Sequence, residues 1–300
     1  MKLFDLGGKV AIITGGIGLA MARGLVKAGA AALIVGRNEE KNAAAVKELR
    51  ALGGKAEAFA ADVTQETQCK AMVDAAIGRF GRLDALFNNA GINIRKAPQD
   101  MALEEWRSVL DTNLTSAFLC AKAAYPALKQ AGGGKIVNTG SMLSIFGVRF
   151  APAYGASKGG IVQLTKSLAA AWAADNIQVN AVLPGWIDTD LTVRARQQVP
   201  ELHENVVRRT PAGRWGRPED HEGVAVFLAS AASDFVNGAT LVIDGVKVAD
   251  TASPGGGADF ANLSTAGIGR VEILRGPQSL AWGSQAIGGV IAVETVKPGD

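Results

Sequence analysis

The sequence predicts an α/β protein: a doubly wound parallel sheet over residues 1–245, followed by a glycine-rich, β-like tail over residues 246–300. Three observations carry this reading. Short apolar runs alternate with longer helical ones from the N-terminus to residue 243. The strand-like runs are apolar without interruption, which marks parallel strands covered on both faces. After Asp244 the helical periodicity stops, and Gly, Ser and short β-like runs replace it.

Taken in order, residues 9–13 read as a short buried strand, 19–28 as a helix and 32–35 as a second strand. Residues 39–52 form a charged, alanine-rich helix that stops at Gly53-Gly54. A third strand at 56–60, a helix at 65–80 and a fourth strand at 83–87 follow. Residues 103–130 read as one long helix, 135–139 as a fifth strand, 154–174 as a helix and 178–182 as a sixth strand. A helix at 218–230 and a last strand at 240–243 close the pattern. Right-handed crossovers wind such a chain on both sides of the sheet, and ligands bind at the carboxyl ends of the strands.

Bulk properties exclude several functions. The chain is 48% hydrophobic and 20% charged, enough to bury a core. Its net charge of +3 is scattered, with no run of Lys or Arg that would track a nucleic-acid backbone. Cys69 and Cys120 make neither a disulfide framework nor a zinc site, and His203 and His221 lack metal-ligand neighbours. No signal-like N-terminus and no membrane-length apolar run is read, so a cytoplasmic protein without metal, membrane or nucleic-acid partner is expected.

Several short motifs carry chemistry. Thr14-Gly15-Gly16-Ile17-Gly18 lies between the first strand and the first helix. Glycines there let the backbone turn tightly and approach a pyrophosphate at the helix N-terminus. Asp62-Val63 follows the third strand, where an Asp can hydrogen-bond an adenine. Asn88-Asn89-Ala90-Gly91 follows the fourth, where small residues let a sugar lie against the backbone. Tyr154 and Lys158 project from one helix face. A phenol with a pKa of about 10 is a poor acid–base at neutral pH, and a neighbouring ammonium brings it into use. Ser141, at the end of the fifth strand, can hold a substrate oxygen, and Asn113 can anchor a water between Lys158 and solvent. Any one of these also reads as ordinary turn or surface chemistry; all of them at the right element ends do not.

Over residues 1–245 this set resembles the short-chain dehydrogenases/reductases, with their Rossmann-type sheet. The residues that carry the resemblance are the Thr14–Gly18 turn, Asn88-Asn89-Ala90-Gly91, Asn113, Ser141, Tyr154-Gly155-Ala156-Ser157-Lys158, and Pro184-Gly185 with Thr189. It implies NAD(P)-dependent interconversion of a hydroxyl and a ketone by a homotetramer. Tyr154 would be the proton donor and acceptor, and Lys158 its activator and a ribose ligand. Ser141 would position substrate, Asn113 would belong to a proton relay, and Ile187 and Thr189 would flank the nicotinamide amide.

The family turn reads Thr-Gly-x-x-x-Gly-x-Gly, and here its three intervening residues are missing. Weaker phosphate contact is expected. Gly36 stands at the end of the second strand where an acidic residue would select a free ribose, and Arg37 follows; a guanidinium suits a 2′-phosphate, so NADP(H) is expected over NAD(H). Ser141-Met142-Leu143-Ser144 and Pro211-Ala212-Gly213-Arg214-Trp215-Gly216 look most like the gluconate and 2-dehydro-3-deoxygluconate dehydrogenases. Leu143 would then touch a small sugar-acid substrate, and Arg95 and Arg149 would pair with its carboxylate. The 3-oxoacyl carrier-protein reductases are the alternative, and an inactive scaffold with a crippled turn is a second.

The tail resembles the later part of the plug domain of TonB-dependent receptors, from about residue 241. Ile243-Asp244-Gly245-Val246-Lys247-Val248, Arg270 to Ser279, Trp282-Gly283-Ser284 and Ala286 to Ile291 carry that likeness. A chimeric chain is expected, whose tail adds no receptor function and is mobile or loosely docked. Residues 271–274 and 290–293 could pair as a hairpin, marginal on its own in water.

Overall fold

Five consecutive buried residues make β1 (Val10–Thr14) an interior strand, and it lies at the middle of the sheet. The structure is a computed structural model. It describes residues 2–15, 17–199 and 201–243, apart from the side chains of Asp190, Leu191 and Arg194, and the backbone of two strands at 268–275 and 289–295. The chain forms two units, Met1–Lys247 and Val248–Asp300.

In the first unit the order is β1, α1 (Gly18–Lys27), β2 (Ala31–Gly36), α2 (Glu39–Ala51), β3 (Ala56–Ala60), α3 (Glu66–Phe80) and β4 (Ala85–Asn88). Then come α4 (Leu103–Leu110), α5 (Ser116–Gln130), β5 (Gly134–Thr139), α6 (Pro152–Trp172), β6 (Ile177–Pro184), α7 (Asp190–Gln198), α8 (Leu202–Arg209), α9 (Glu222–Ala229) and β7 (Thr240–Ile243). The sheet runs β3-β2-β1-β4-β5-β6-β7, every neighbouring pair parallel. The strand order reverses between β1 and β4, so the ligand crevice opens there, at the strands' carboxyl ends. One core, with Met72, Cys120 and Leu128, packs α3 and α5 on one face. A second, with Met21, Leu25, Leu49 and Leu228, packs α1, α2 and α9 on the other.

Two features depart from the sequence reading. Residues 103–130 are not one regular helix: a π-turn, Asp111–Thr115, joins α4 to α5 and carries Asn113 at its centre. Such a turn inserts a residue into the ladder without breaking the rod. The sequence also gave no helix between residues 183 and 217, where α7 and α8 stand. Both are short and rich in polar residues; among the described side chains Ala195, Leu202 and Val206 pack around Trp215, with Trp186, Val199 and Val207 beside them. That is too little for a periodic signal.

In the second unit, β8 (Ile268–Arg275) and β9 (Gly289–Thr295) pair antiparallel, with Val271 opposite Val293 and Ile273 opposite Ile291. The hairpin expected from the two apolar runs is therefore present. The expected mobility of the tail concerns residues that lie outside the described ones.

Candidate active site

The site begins where β1 ends. Gly15 has φ +56°, and a Cβ there would stand 2.8 Å from the Ala90 Cα, so only glycine fits between the two loops. A Cβ on Gly18 would meet the Ile13 side chain at 2.7 Å, which lets α1 start directly against β1. The Thr14 hydroxyl accepts from the Asn89 and Ala90 amides at 3.0 and 3.1 Å and donates to the Phe87 carbonyl. Thr14 thus stitches the ends of β1 and β4 together. Ile17 is half-buried at the start of α1; Gly16 lies outside the described residues.

A cavity of about 640 Å³ opens beside this turn, lined by Gly15, Gly18, Gly36, Arg37, Asp62, Val63, Ala90 and Gly91. Asp62 accepts from the Thr64 amide and hydroxyl at 3.0 and 2.8 Å. These bonds, with a smaller contribution from the Arg37 charge, hold its carboxyl below the usual range. A Cβ on Gly36 would lie 2.8 Å from the Asn42 side-chain Oδ1, so a larger residue there needs the Asn42 side chain to move. Lys41 also lines this cavity, a second cation that the sequence reading missed. The N-cap Asn38 immediately before α2 was the available signal, since it places Lys41 in that helix's first turn.

A second cavity, about 530 Å³, continues past Leu19 and Gly91 and is lined by Asn89, Ser141, Tyr154, Lys158, Pro184, Gly185, Ile187 and Thr189. Helix α6 brings Tyr154 and Lys158 to it on one face, with the Lys158 Nζ 5.7 Å from the Tyr154 ring centroid. Lys158 is 3% exposed and donates to the Thr139 carbonyl at 2.6 Å. Burial lowers its pKa to about 8. Thr139 in turn donates through its hydroxyl to the Asn89 side chain. Asn113 accepts from the Ile92 amide at 2.7 Å and donates to the Ile92 carbonyl and the Ser157 hydroxyl at 2.9 and 3.0 Å. Its side chain binds the loop after β4 to α6, and a Cβ on Gly91 would stand 3.3 Å from Asn113 and 3.6 Å from the Lys158 Nζ.

Ser141 accepts from the Leu143 amide at 3.2 Å and hydrogen-bonds Tyr154. Burial raises the phenol above its ordinary value, while Ser141 and the charge of Arg95 act in the lowering direction. The sequence reading assigned that lowering to the Lys158 ammonium. The difference is physical: enclosure, which no local motif reveals, outweighs the nearby charges.

Arg95 is half-buried and donates to the Gln198 side chain at 3.3 Å, with burial lowering its pKa. Leu143 is half-buried in the turn after Ser141. Arg149 is exposed. Thr189 caps α7; its amide donates to the Thr192 hydroxyl, which donates to the Ile187 carbonyl at 2.6 Å. Thr192, which also lines the cavity, was missed, although its spacing from the cap was a legible signal.

The two cavities meet at Leu19 and Gly91 along the strands' carboxyl ends. With glycine at close approaches, this groove fits a dinucleotide: a largely apolar pocket with two cations at one end, and a hydroxyl–phenol–ammonium set at the other. Among the described residues no group of His, Cys, Asp or Glu is arranged to hold a metal, and no helix is long and apolar enough to cross a membrane.

Comparison with known proteins agrees with this geometry. A family model described as Enoyl-(Acyl carrier protein) reductase matches residues 11–245. A second, described as TonB-dependent Receptor Plug Domain, matches residues 202–290 and so begins inside α8. The chain is 41% identical over 249 residues to 2-dehydro-3-deoxy-D-gluconate 5-dehydrogenase of Dickeya dadantii, covering 82% of this chain and 97% of that protein. It is 42% identical over 247 residues to the Bacillus subtilis protein of the same name, covering 81% and 95%. A crystal structure of gluconate 5-dehydrogenase from Burkholderia cenocepacia, in complex with NADP and tartrate, matches with a TM-score of 0.77 and 41% identity over 81% of this chain and 96% of that one.

Proposed function

This chain belongs to the short-chain dehydrogenase/reductase family, and from that premise we propose that it interconverts a secondary alcohol and a ketone on a small sugar acid, with NADP(H) preferred over NAD(H). The family membership makes it an NAD(P)-dependent alcohol dehydrogenase/ketoreductase. The observation that carries the finer reading is the meeting of Ser141, Tyr154 and Lys158 at one cavity, with the Arg95 charge acting on Tyr154.

The bound nicotinamide supplies or takes the hydride. The Tyr154 phenol gives its proton to the ketone oxygen, and the Ser141 hydroxyl holds that oxygen in place. Lys158, fixed by the Thr139 carbonyl, is held beside the Tyr154 ring, and Ser141 and the Arg95 charge favour the phenolate that remains. Asn113 keeps the loop after β4 in register with α6, so the groove and the acid–base group stay aligned.

Arg95 points to the substrate class. Its half-buried guanidinium acts electrostatically on the Tyr154 phenol, and a guanidinium suits a carboxylate. The names of the relatives, and the tartrate in the Burkholderia structure, support an acid substrate. The 3-oxoacyl carrier-protein alternative shares the carrier-protein wording, but not the reaction, with the description of the matching family model, which names an enoyl reductase. The inactive-scaffold alternative rests on the short turn after β1. The whole activity is assigned to residues 1–245, and a homotetramer fits the exposed Leu103 and Phe118 of α4 and α5.

NADP(H) preference is assigned to Arg37 and tested by substitution. Arg37→Ala is expected to weaken NADPH binding by about tenfold or more, the worth of a charge-assisted hydrogen bond, and NADH binding much less. Titration of both cofactors checks this. Equal weakening of the two, or a wild-type preference for NADH, contradicts it.

A further inference from the structure

We propose that Arg23 of α1 is the cation that holds the cofactor's pyrophosphate; the inference rests on the cofactor reading above and assigns a residue to its least provided segment. Among the described residues between the end of β1 and the start of α1, several backbone donors are already committed. The Gly15 amide donates to the Val35 carbonyl, Gly18 to Gly15 at 3.0 Å, and Ala20 and Met21 both to Ile17. A helix start attracts a phosphate through free N–H groups, and the Gly15, Gly18 and Ala20 amides are already engaged. No side chain caps the helix. With these amides committed, a cationic side chain adds the charge that the negative group needs.

Arg23 is placed to meet it. A dinucleotide lying in both cavities has to cross Leu19, which lines each of them. Arg23 follows Leu19 by one helical turn and so shares its face. It lines the nicotinamide-end cavity, where Lys158 is the other lining cation and is committed to Thr139. Its guanidinium bridges the two halves of the groove. Nε donates to Glu48, which lines the adenosine-end cavity, and Nη1 donates to Glu219, which lines the other, at 2.7 Å. Both carboxylates are substantially exposed, at 41% and 54%, so water readily takes over from them. A pyrophosphate offers the same fork of oxygens at higher charge and displaces them from the guanidinium.

The test is cofactor titration of the full chain. Arg23→Gln is expected to weaken NADPH and NADH alike by about tenfold or more, with adenosine 2′-phosphate, which carries no pyrophosphate, bound as in the wild type. Arg23→Lys should recover part of the loss. Inorganic pyrophosphate should displace NADPH from the wild type. Removing both competing carboxylates, Glu48→Gln with Glu219→Gln, should tighten NADPH; this variant, with Arg23→Lys, decides the matter if Arg23→Gln does not fold. NADPH binding within about twofold of wild type in a folded Arg23→Gln protein, or equal losses for NADPH and adenosine 2′-phosphate, overturns the inference while leaving the dehydrogenase reading intact. A wild type that binds no NADPH overturns both.

Discussion

Tyr154→Phe is expected to lower turnover by about a hundredfold or more while leaving NADPH affinity near that of the wild type. The substitution keeps the half-buried ring in its place on α6 and removes only the hydroxyl that Ser141 hydrogen-bonds. Among the described residues that line this end of the groove, Tyr154 is the acidic proton source beside Ser141. Of the other charged groups in the cavity, Glu219 is held by Arg23 and Lys158 by the Thr139 carbonyl. Steady-state turnover with NADPH, alongside cofactor titration, separates loss of the proton from loss of binding. Near-normal turnover in Tyr154→Phe contradicts the assignment.

Lys158→Met is expected to abolish most activity and yet stabilise the fold. Lys158 is buried, and its pKa falls from 10.5 to about 8. Below about pH 8 it is charged in both the native and the unfolded chain, so the native state carries the full cost of burying the ammonium. Between about pH 8 and 10.5 the native state has released a proton that the unfolded chain still holds, so stability rises with pH across that window. A shift of this size corresponds to on the order of 3 kcal/mol at neutral pH, a ceiling because the variant also loses the bond to the Thr139 carbonyl. Denaturant unfolding of wild type and Lys158→Met at pH 7 and pH 9.5 reads the effect. The variant should be the more stable at pH 7, and the gap should narrow at the higher pH. A variant less stable at pH 7 would show that the Thr139 bond outweighs desolvation.

Much of this site was legible because its chemistry sits at element ends, where residue type is constrained. Gly15 must be glycine for steric reasons that a strand–turn–helix pattern already suggests. Tyr154 and Lys158 share a helix face by spacing alone. The strands were legible because a doubly covered sheet leaves each an unbroken apolar run. What stayed hidden depends on the third dimension. Arg23 meets Glu48 from α2 and Glu219 from just before α9, partners that no local pattern links. The environment of Tyr154 was misjudged because burial has no sequence signature. Helices α7 and α8 escaped because they bury little beyond one small cluster. The π-turn at Asn113 escaped because a one-residue insertion in the ladder leaves the helical period nearly unchanged.

NADPH oxidation by the full chain over a panel of keto-sugar acids and acetoacetyl thioesters tests whether the protein acts as an NADPH-using sugar-acid dehydrogenase. Oxidation is expected with at least one keto-sugar acid, faster than with any thioester and reduced when Arg95 is changed to Met. Oxidation with thioesters alone, or none with any member of the panel, would contradict it.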